Sequence, residues 1–257
     1  VSQWHGYELR GPDAAPAVEW LHVHAEVLGV HEGDDAATVW LAHELPALPF
    51  RGVAARAVVF DPPGGLPTGR EGDAPIQLAE DLLVRPPWVA RPAGFSGIEL
   101  IVPRGGAFGS GEHASTQAAL RCLHALWDAP SSLGDVGTGS GILALYAVVR
   151  GCPAVAACDV DPAAVAAARE LLPGADVRLG GAEVLPPVDC VIANMTGDEL
   201  RQALPAMLRI WTRRSAWVIS GLRAHEVAPF MDLVPFSSAH RCRVGEFTAL
   251  GYRGGAR

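Results

Sequence analysis

The stretch Asp135-Val136-Gly137-Thr138-Gly139-Ser140-Gly141 governs how the rest of the chain is read. A short apolar run ends at Asp135 and Val136, and a helical pattern follows over residues 141–150. Three alternating glycines therefore fall where a strand turns into a helix, a place where positive φ angles and close approach of a ligand to the backbone are useful. Toward the C-terminus, residues 154–158 form a second strand-like run that ends in Asp159. Asp161 is placed to cap the next helix, and Pro162 sits in its first turn, where a missing N–H does no harm. That helix extends to about Leu172; strands are predicted over 177–179, 188–193 and 216–220, with a helix over 198–211. Elements alternating at this spacing imply parallel β-α-β units, hence an α/β fold with a doubly wound, mostly parallel, Rossmann-like sheet.

Upstream of the loop, residues 97–102 read as a strand and residues 115–127 as a helix carrying Ala118, Ala119, Cys122, Leu123 and Leu126 toward a core. Downstream, the segments around Val234 and 246–252 read as a final hairpin. The N-terminal part predicts a strand over 3–10, a helix over 12–28 with Val18, Leu21, Ala25 and Leu28 on one face, and a strand over 37–45. Between Pro46 and Gly72 the chain is dense in proline and glycine, which suits turns and a linker. The predicted organisation is a small α+β domain over 1–58, a linker over 59–96 and a catalytic domain over 97–257.

In a parallel α/β sheet the first strand-to-helix loop is the usual ligand cradle. A dinucleotide loop, G-x-G-x-x-G, requires a third glycine where this chain has Ile142 or, one step on, Ala144. A carboxylate in the loop, Asp135, repels a pyrophosphate but attracts the ammonium and sulfonium of S-adenosyl-L-methionine. Gly137, Thr138, Gly139 and Gly141 are therefore cofactor-binding candidates together with Asp135. Asp159, with Val160 beside it, ends the second strand 18 positions after Gly141, where an acidic side chain accepts hydrogen bonds from ribose hydroxyls. Helix capping is the competing role for Asp159 and the favoured one for Asp161. Gly181 and Ala182 follow the third strand and are candidates for the adenine edge through backbone amides, with a plain turn as the alternative. Asn194, at the end of the fourth strand, is the candidate catalytic residue: its side-chain carbonyl orients an N–H while leaving the nitrogen lone pair free. A turn asparagine is the alternative.

Composition narrows the function classes. No apolar run approaches the roughly 18 residues that cross a bilayer, and the first residues, VSQWHGYELR, lack the basic start and apolar stretch of a secretory signal. A cytoplasmic protein with no membrane role is expected. The formal charge of −8 argues against a general phosphate-backbone binder, so no direct nucleic-acid binding is expected. Five cysteines, scattered and never paired as C-x-x-C, suggest neither a disulfide framework nor a zinc site, and no metal is expected.

The run FGSGEHAST over 108–116, followed by DVGTGSGILAL, CDVDPAAV and VIANMT, resembles the ribosomal protein methyltransferases often called PrmA. The likeness is strongest from about residue 98 onward; before that it rests on YELRG and LGVHEGDD. It implies a small N-terminal substrate-recognition domain, a class I methyltransferase domain using S-adenosyl-L-methionine, and methyl transfer to amino groups of a large-subunit ribosomal protein. It also implies cofactor contacts from Phe108, Ser110, His113 and Thr116. Departures from the family pattern are Ser110 for threonine, Glu112 for histidine, Gly134 for an aliphatic residue in the strand before the loop, and Met195-Thr196 after Asn194. A monomer acting on a protein partner is expected. Two alternatives stand beside this reading: a methyltransferase for another protein or a small molecule, and a catalytically silent cofactor-binding module.

Overall fold

Alternation of Leu9, Tyr7 and His5 along one strand gives the N-terminal unit its sheet. The structure, a computed structural model, describes residues 5–32, 36–41, 43–58, 73–103, 110–236 and 240–254. It divides into two compact units, residues 1–72 and 73–257.

In the first unit, β1 (His5–Arg10), β2 (Val27–Glu32), β3 (Ala36–Leu41) and β4 (Ala54–Val58) form an antiparallel sheet in the order β2-β3-β1-β4. The helix α1 (Ala14–His24) lays Ala17, Val18 and Leu21 against Leu9, Val39 and Leu41. Leu9 and Leu21 are fully buried, each contributing about 1.5–3 kcal/mol. The helix is shorter than its periodicity predicts. Ala25 is extended and donates its N–H to Leu21, and the β-branched residues from Val27 then pair with β3. Tertiary strand pairing has overridden a continuing helical pattern.

The second unit begins with β5 (Ile76–Ala79), β6 (Leu82–Arg85) and β7 (Ile98–Ile101), a three-stranded sheet. Residues 59–72 lie outside the described residues, but the rest of the predicted linker belongs to this unit rather than joining two others. Leu78, Leu82 and Val84 alternate inward into a core with Leu100 and Leu120, and Arg85 bonds Glu99 at 2.6 Å. The boundary between units thus falls at 72/73 instead of 96/97. Its signal was a strand pattern, IQLAEDLLV, flanked by prolines.

Beyond β7 come α2 (Ala114–Leu126), β8 (Ser132–Val136), α3 (Ile142–Val149), β9 (Ala154–Asp159), α4 (Pro162–Leu171), β10 (Asp176–Leu179), a short 3-10 turn (Ala182–Val184) and β11 (Cys190–Asn194). Then α5 (Gly197–Ile210), β12 (Ala216–Arg223), α6 (Ala224–Met231), β13 (His240–Val244) and β14 (Phe247–Arg253) complete the chain. The sheet order is β10-β9-β8-β11-β12-β14-β13; the first five strands are parallel, and β14 runs antiparallel to β12 and β13. Helices α2, α3 and α4 cover one face, α5 and α6 the other. The doubly wound, mostly parallel sheet is as the alternation of elements implies.

Two local differences have physical causes. The final hairpin is β13 with β14, and Val234 instead closes the turn after α6, a helix hidden in the sequence by Gly221 before it and Pro229 within it. Gly134 does not interrupt β8, where it pairs with Ala156 and Val191. A Cβ there would lie 3.1 Å from Val188 and 3.3 Å from Leu185, so these neighbours fill the space an aliphatic residue would take.

Candidate functional site

The chain leaves β8 for β9 and β10 on one side, then returns to place β11 on the other. Such a reversal opens a crevice at the carboxyl ends of the two central strands. Here it is a cleft of about 1250 Å³, lined among others by Val136, Gly137, Gly139, Asp159, Asn194 and Phe247.

The glycine loop is pinned to the end of β9. Gly137 and Thr138 donate their N–H groups to the Cys158 carbonyl at 2.9 and 3.0 Å, and Gly139 donates to Asp159 Oδ2 at 2.9 Å. Gly137 has φ 69°, and a Cβ there would meet Met195 Sδ at 2.7 Å. Only a glycine lets the β8 loop approach the β11 loop so closely. Asp159 Oδ1 accepts the Asp161 N–H at 3.0 Å, and Asp161 Oδ1 caps α4 through the Ala163 N–H at 2.9 Å. Each Asp159 oxygen keeps a further lone pair for a hydroxyl group.

Asp135 is placed differently from the loop around it. It is 0% exposed and lies beneath the cleft, with Oδ2 accepting the Thr138 hydroxyl at 2.6 Å and the Ala144 N–H at 3.1 Å. The helix N-cap, Gly141, has no side chain, so Asp135 satisfies a first-turn donor of α3 from the preceding strand. Its Oδ1 has no hydrogen-bond partner among the described residues. Burial pushes its carboxyl up to about 7, opposed by the bonds from Thr138 and Ala144 and aided by the Asp159 charge.

At the other wall, Asn194 Nδ2 donates to Thr116 Oγ1 at 3.2 Å. Its side-chain carbonyl oxygen accepts no bond among the described residues. Thr196 caps α5 in a reciprocal box with Glu199: the Glu199 N–H reaches Thr196 Oγ1 at 3.4 Å and the Thr196 N–H reaches Glu199 Oε2 at 2.9 Å. Thr196, one of the two departures from the family pattern after Asn194, is thus a helix cap. Gly221, at φ 98° in a bulge of β12, lets that strand pass against the Met195 carbonyl, which a Cβ would approach to 2.0 Å. His113 caps α2, bonds Ser115 Oγ at 2.7 Å and rests its ring on Phe247 at 4.8 Å; the Arg223 guanidinium lies over the Phe247 ring at 5.9 Å.

Of the residues singled out in the sequence, His113, Gly137, Gly139, Asp159, Val160, Gly181, Ala182 and Asn194 line the cleft. Thr116 and Asp135 are buried behind it, Thr138 bonds Asp135, Gly141 starts α3, and Ser110 bonds Glu112 at 2.9 Å. Phe108 lies outside the described residues. Reading the sequence missed Glu183, Thr196, Glu199, Gly221, Glu226 and Phe247 in the lining. Thr196-x-x-Glu199 is a legible capping box; the others come from elements remote in sequence. Among the described residues, five carboxylates, Asp159, Asp161, Glu183, Glu199 and Glu226, line the cleft against one guanidinium, Arg223. That donor set, with the orphaned Asp135 Oδ1 beneath it, fits a cationic nucleoside and opposes an anionic one.

The model of the family described as ribosomal protein L11 methyltransferase (PrmA) matches residues 70–236. A ribosomal protein L11 methyltransferase of Pediococcus pentosaceus is 35% identical over 157 residues, covering 58% of this chain and 50% of the relative. One of Pelobacter propionicus is 33% identical over 199 residues, covering 71% of this chain and 64% of the relative. The chain therefore spans between half and two thirds of the length of these curated relatives. The crystal structure of a ribosomal protein L11 methylase from Lactobacillus delbrueckii subsp. bulgaricus superposes with a TM-score of 0.61 at 25% identity, over 70% of this chain and 99% of that one. With the family model covering well over half of its length, the chain belongs to the ribosomal protein L11 methyltransferase (PrmA) family.

Proposed function

We propose that this chain is an S-adenosyl-L-methionine-dependent methyltransferase acting in the cytoplasm, as a monomer, on amino groups of a large-subunit ribosomal protein. The observation that carries the reading is the meeting, in one acidic cleft, of the Asp159-anchored glycine loop and Asn194 with its side-chain carbonyl oxygen unengaged. The family relatives, named for methylation of L11, support the choice of acceptor.

When bound, the cofactor supplies an electrophilic methyl carbon on a sulfonium. The protein has to position and exclude rather than perform acid-base chemistry. Asp159 holds the ribose hydroxyls, and the backbone of Gly137 and Gly139 forms the wall beside them. Thr116 anchors the amide nitrogen of Asn194, which fixes the carbonyl oxygen to accept an N–H of the acceptor amine and leaves that nitrogen's lone pair free for attack. The surrounding carboxylates favour cationic groups in the cleft.

Incubation with methyl-labelled cofactor and intact ribosomal proteins tests this. Label on a large-subunit protein is expected. Label only in small molecules would overturn the acceptor, and tight binding of NAD without binding of S-adenosyl-L-methionine would overturn the cofactor.

A further inference from the structure

Cys122 and Cys242, far apart in sequence, meet on the sheet face that α2 covers. Cys242 lies on β13, the last strand of the sheet, paired to β14 on one edge and to no strand on the other among the described residues. Cys242 stands opposite Ala249 and His240 opposite Gly251, and because side chains alternate along a strand, these four positions share a face. Cys122 comes down on that face from α2. Gly251 makes room for it: a Cβ there would lie 2.7 Å from Cys122 Sγ and 2.2 Å from Leu126 Cδ1. The Cys122 sulfur settles beside Cys242, where its S–H acts on the Cys242 sulfur as a hydrogen-bond donor.

The two thiols are not equivalent. Cys122 is fully buried, whereas Cys242 is half-buried on an edge strand that small solutes reach. The polar neighbours of Cys242 favour an anion: His240 acts on it from β13 and Arg121 from α2. The buried Arg121 Nε has no hydrogen-bond partner among the described residues, so this guanidinium keeps a donor in reserve. The hydrogen bond from Cys122, followed by His240 and Arg121, draws the Cys242 thiol below its ordinary value against the opposing effect of burial, while the Cys122 thiol is held up. Cys152, also partly exposed, is instead pushed up by burial.

We propose that Cys242 and Cys122 form a peroxide-oxidised dithiol, with Cys242 as the attacking sulfur and Cys122 as the resolving one, that closes to a disulfide between β13 and α2. The Cys242 thiolate attacks one oxygen of hydrogen peroxide and the O–O bond breaks. The departing hydroxide takes up the proton that the Cys242 thiol released and leaves as water; the sulfur, oxidised by two electrons, becomes a sulfenic acid. The Cys122 sulfur then attacks the Cys242 sulfur, the S–O bond breaks, and hydroxide leaves as water with the Cys122 proton. A dithiol reductant restores both thiols by exchange, as suits a transient disulfide in a reducing compartment. The bond ties to the C-terminal hairpin the same helix whose Thr116 holds Asn194.

Alkylation and non-reducing peptide mapping of the full chain test the proposal without any turnover. Iodoacetamide at about pH 7 should label Cys242 at least about tenfold faster than Cys152. Hydrogen peroxide should remove the mass of two hydrogens from the wild-type protein, with the linkage mapping to Cys122 and Cys242 and reversed by dithiothreitol. Cys122→Ala should instead leave on Cys242 a sulfenic acid that dimedone traps, and Cys242→Ser should give neither product. A disulfide through Cys152, Cys158 or Cys190, or between two molecules, would overturn the pairing. Labelling of Cys242 no faster than Cys152, or oxidation of the wild-type protein to a sulfinic acid with no disulfide, would overturn the chemistry. Labelling rate and linkage are both read on the wild-type protein, so a variant that fails to fold does not shelter the proposal.

Discussion

Asp135→Asn isolates a titration that the fold has built in beneath the glycine loop. The wild-type carboxyl is fully buried and pushed up from 3.8 to about 7, chiefly by desolvation. Between those values the folded chain holds a proton that the unfolded chain has released. Folding then binds more protons than unfolding, so this group's contribution to stability is complete below about 3.8 and is lost as pH rises through about 7. One proton is worth about 1.4 kcal/mol per pH unit inside such a window. Asparagine keeps an oxygen for the Thr138 hydroxyl and the Ala144 N–H, both of which use Oδ2, and its amide nitrogen replaces Oδ1, which has no partner. Both bonds to Oδ2 are kept, and the cost of the amide's unpartnered donors does not vary with pH, so the change in pH dependence reports the lost titration. Urea denaturation of both proteins at about pH 5, 6, 7 and 8 should give a stability difference, wild type minus variant, that grows by about 1 kcal/mol per unit as pH falls from 7 to 5 and is flat above 8. Taking the difference cancels other groups, including Asp189, whose carboxyl is lowered by the Ser131 and Thr212 hydroxyls. A difference that is flat throughout, or that grows toward high pH, would refute the assignment of a raised carboxyl at this position. Asp135→Ala should do worse at every pH, because two buried donors lose their acceptor at about 1–3 kcal/mol each.

Asn194→Ala should lower kcat for amine methylation far more than it weakens cofactor binding measured by calorimetry; the opposite pattern would contradict the orienting role proposed for it. Gly221→Ala puts a Cβ 2.0 Å from the Met195 carbonyl at a φ of 98°, so a loss of about 1–3 kcal/mol or more is expected in thermal unfolding, with impaired transfer as the Asn194 loop shifts. An unchanged Tm would show that β12 does not pass so close. Thr196→Ala removes the capping box of α5 and should cost about 1 kcal/mol in urea denaturation, while Thr196→Ser should recover most of it.

Much of the fold was legible because its signals are local. Apolar runs of strand length alternating with capped helices required only the residues between 132 and 220, and Asp161 with Pro162 marked the start of α4 to the residue. Signals that depended on distant partners were not legible. The helical pattern past Ala25 gave way to pairing with β3, the supposed linker held a sheet whose buried leucines face α2, and α6 was masked by glycine and proline that serve a bulge and a helix interior. In the site, the glycine loop, Asp159 and Asn194 announced themselves by position at strand ends. Glu183, Glu226 and Phe247 did not, because nothing in their own neighbourhoods says that three separate elements converge on one cleft.

By itself, then, the sequence determined the class of sheet, the glycine loop at the carboxyl end of β8 and the strand-end residues beside it, since these follow from periodicity and turn chemistry. Tertiary structure alone decided which loop atoms remain available. It drew Asp135 under the loop to serve α3, turned the Gly181 N–H onto Glu183, and left the Asn194 carbonyl oxygen unengaged. The physical reason is that a hydrogen bond already made within the fold is withheld from a ligand, and such bonds join residues that no local pattern brings together.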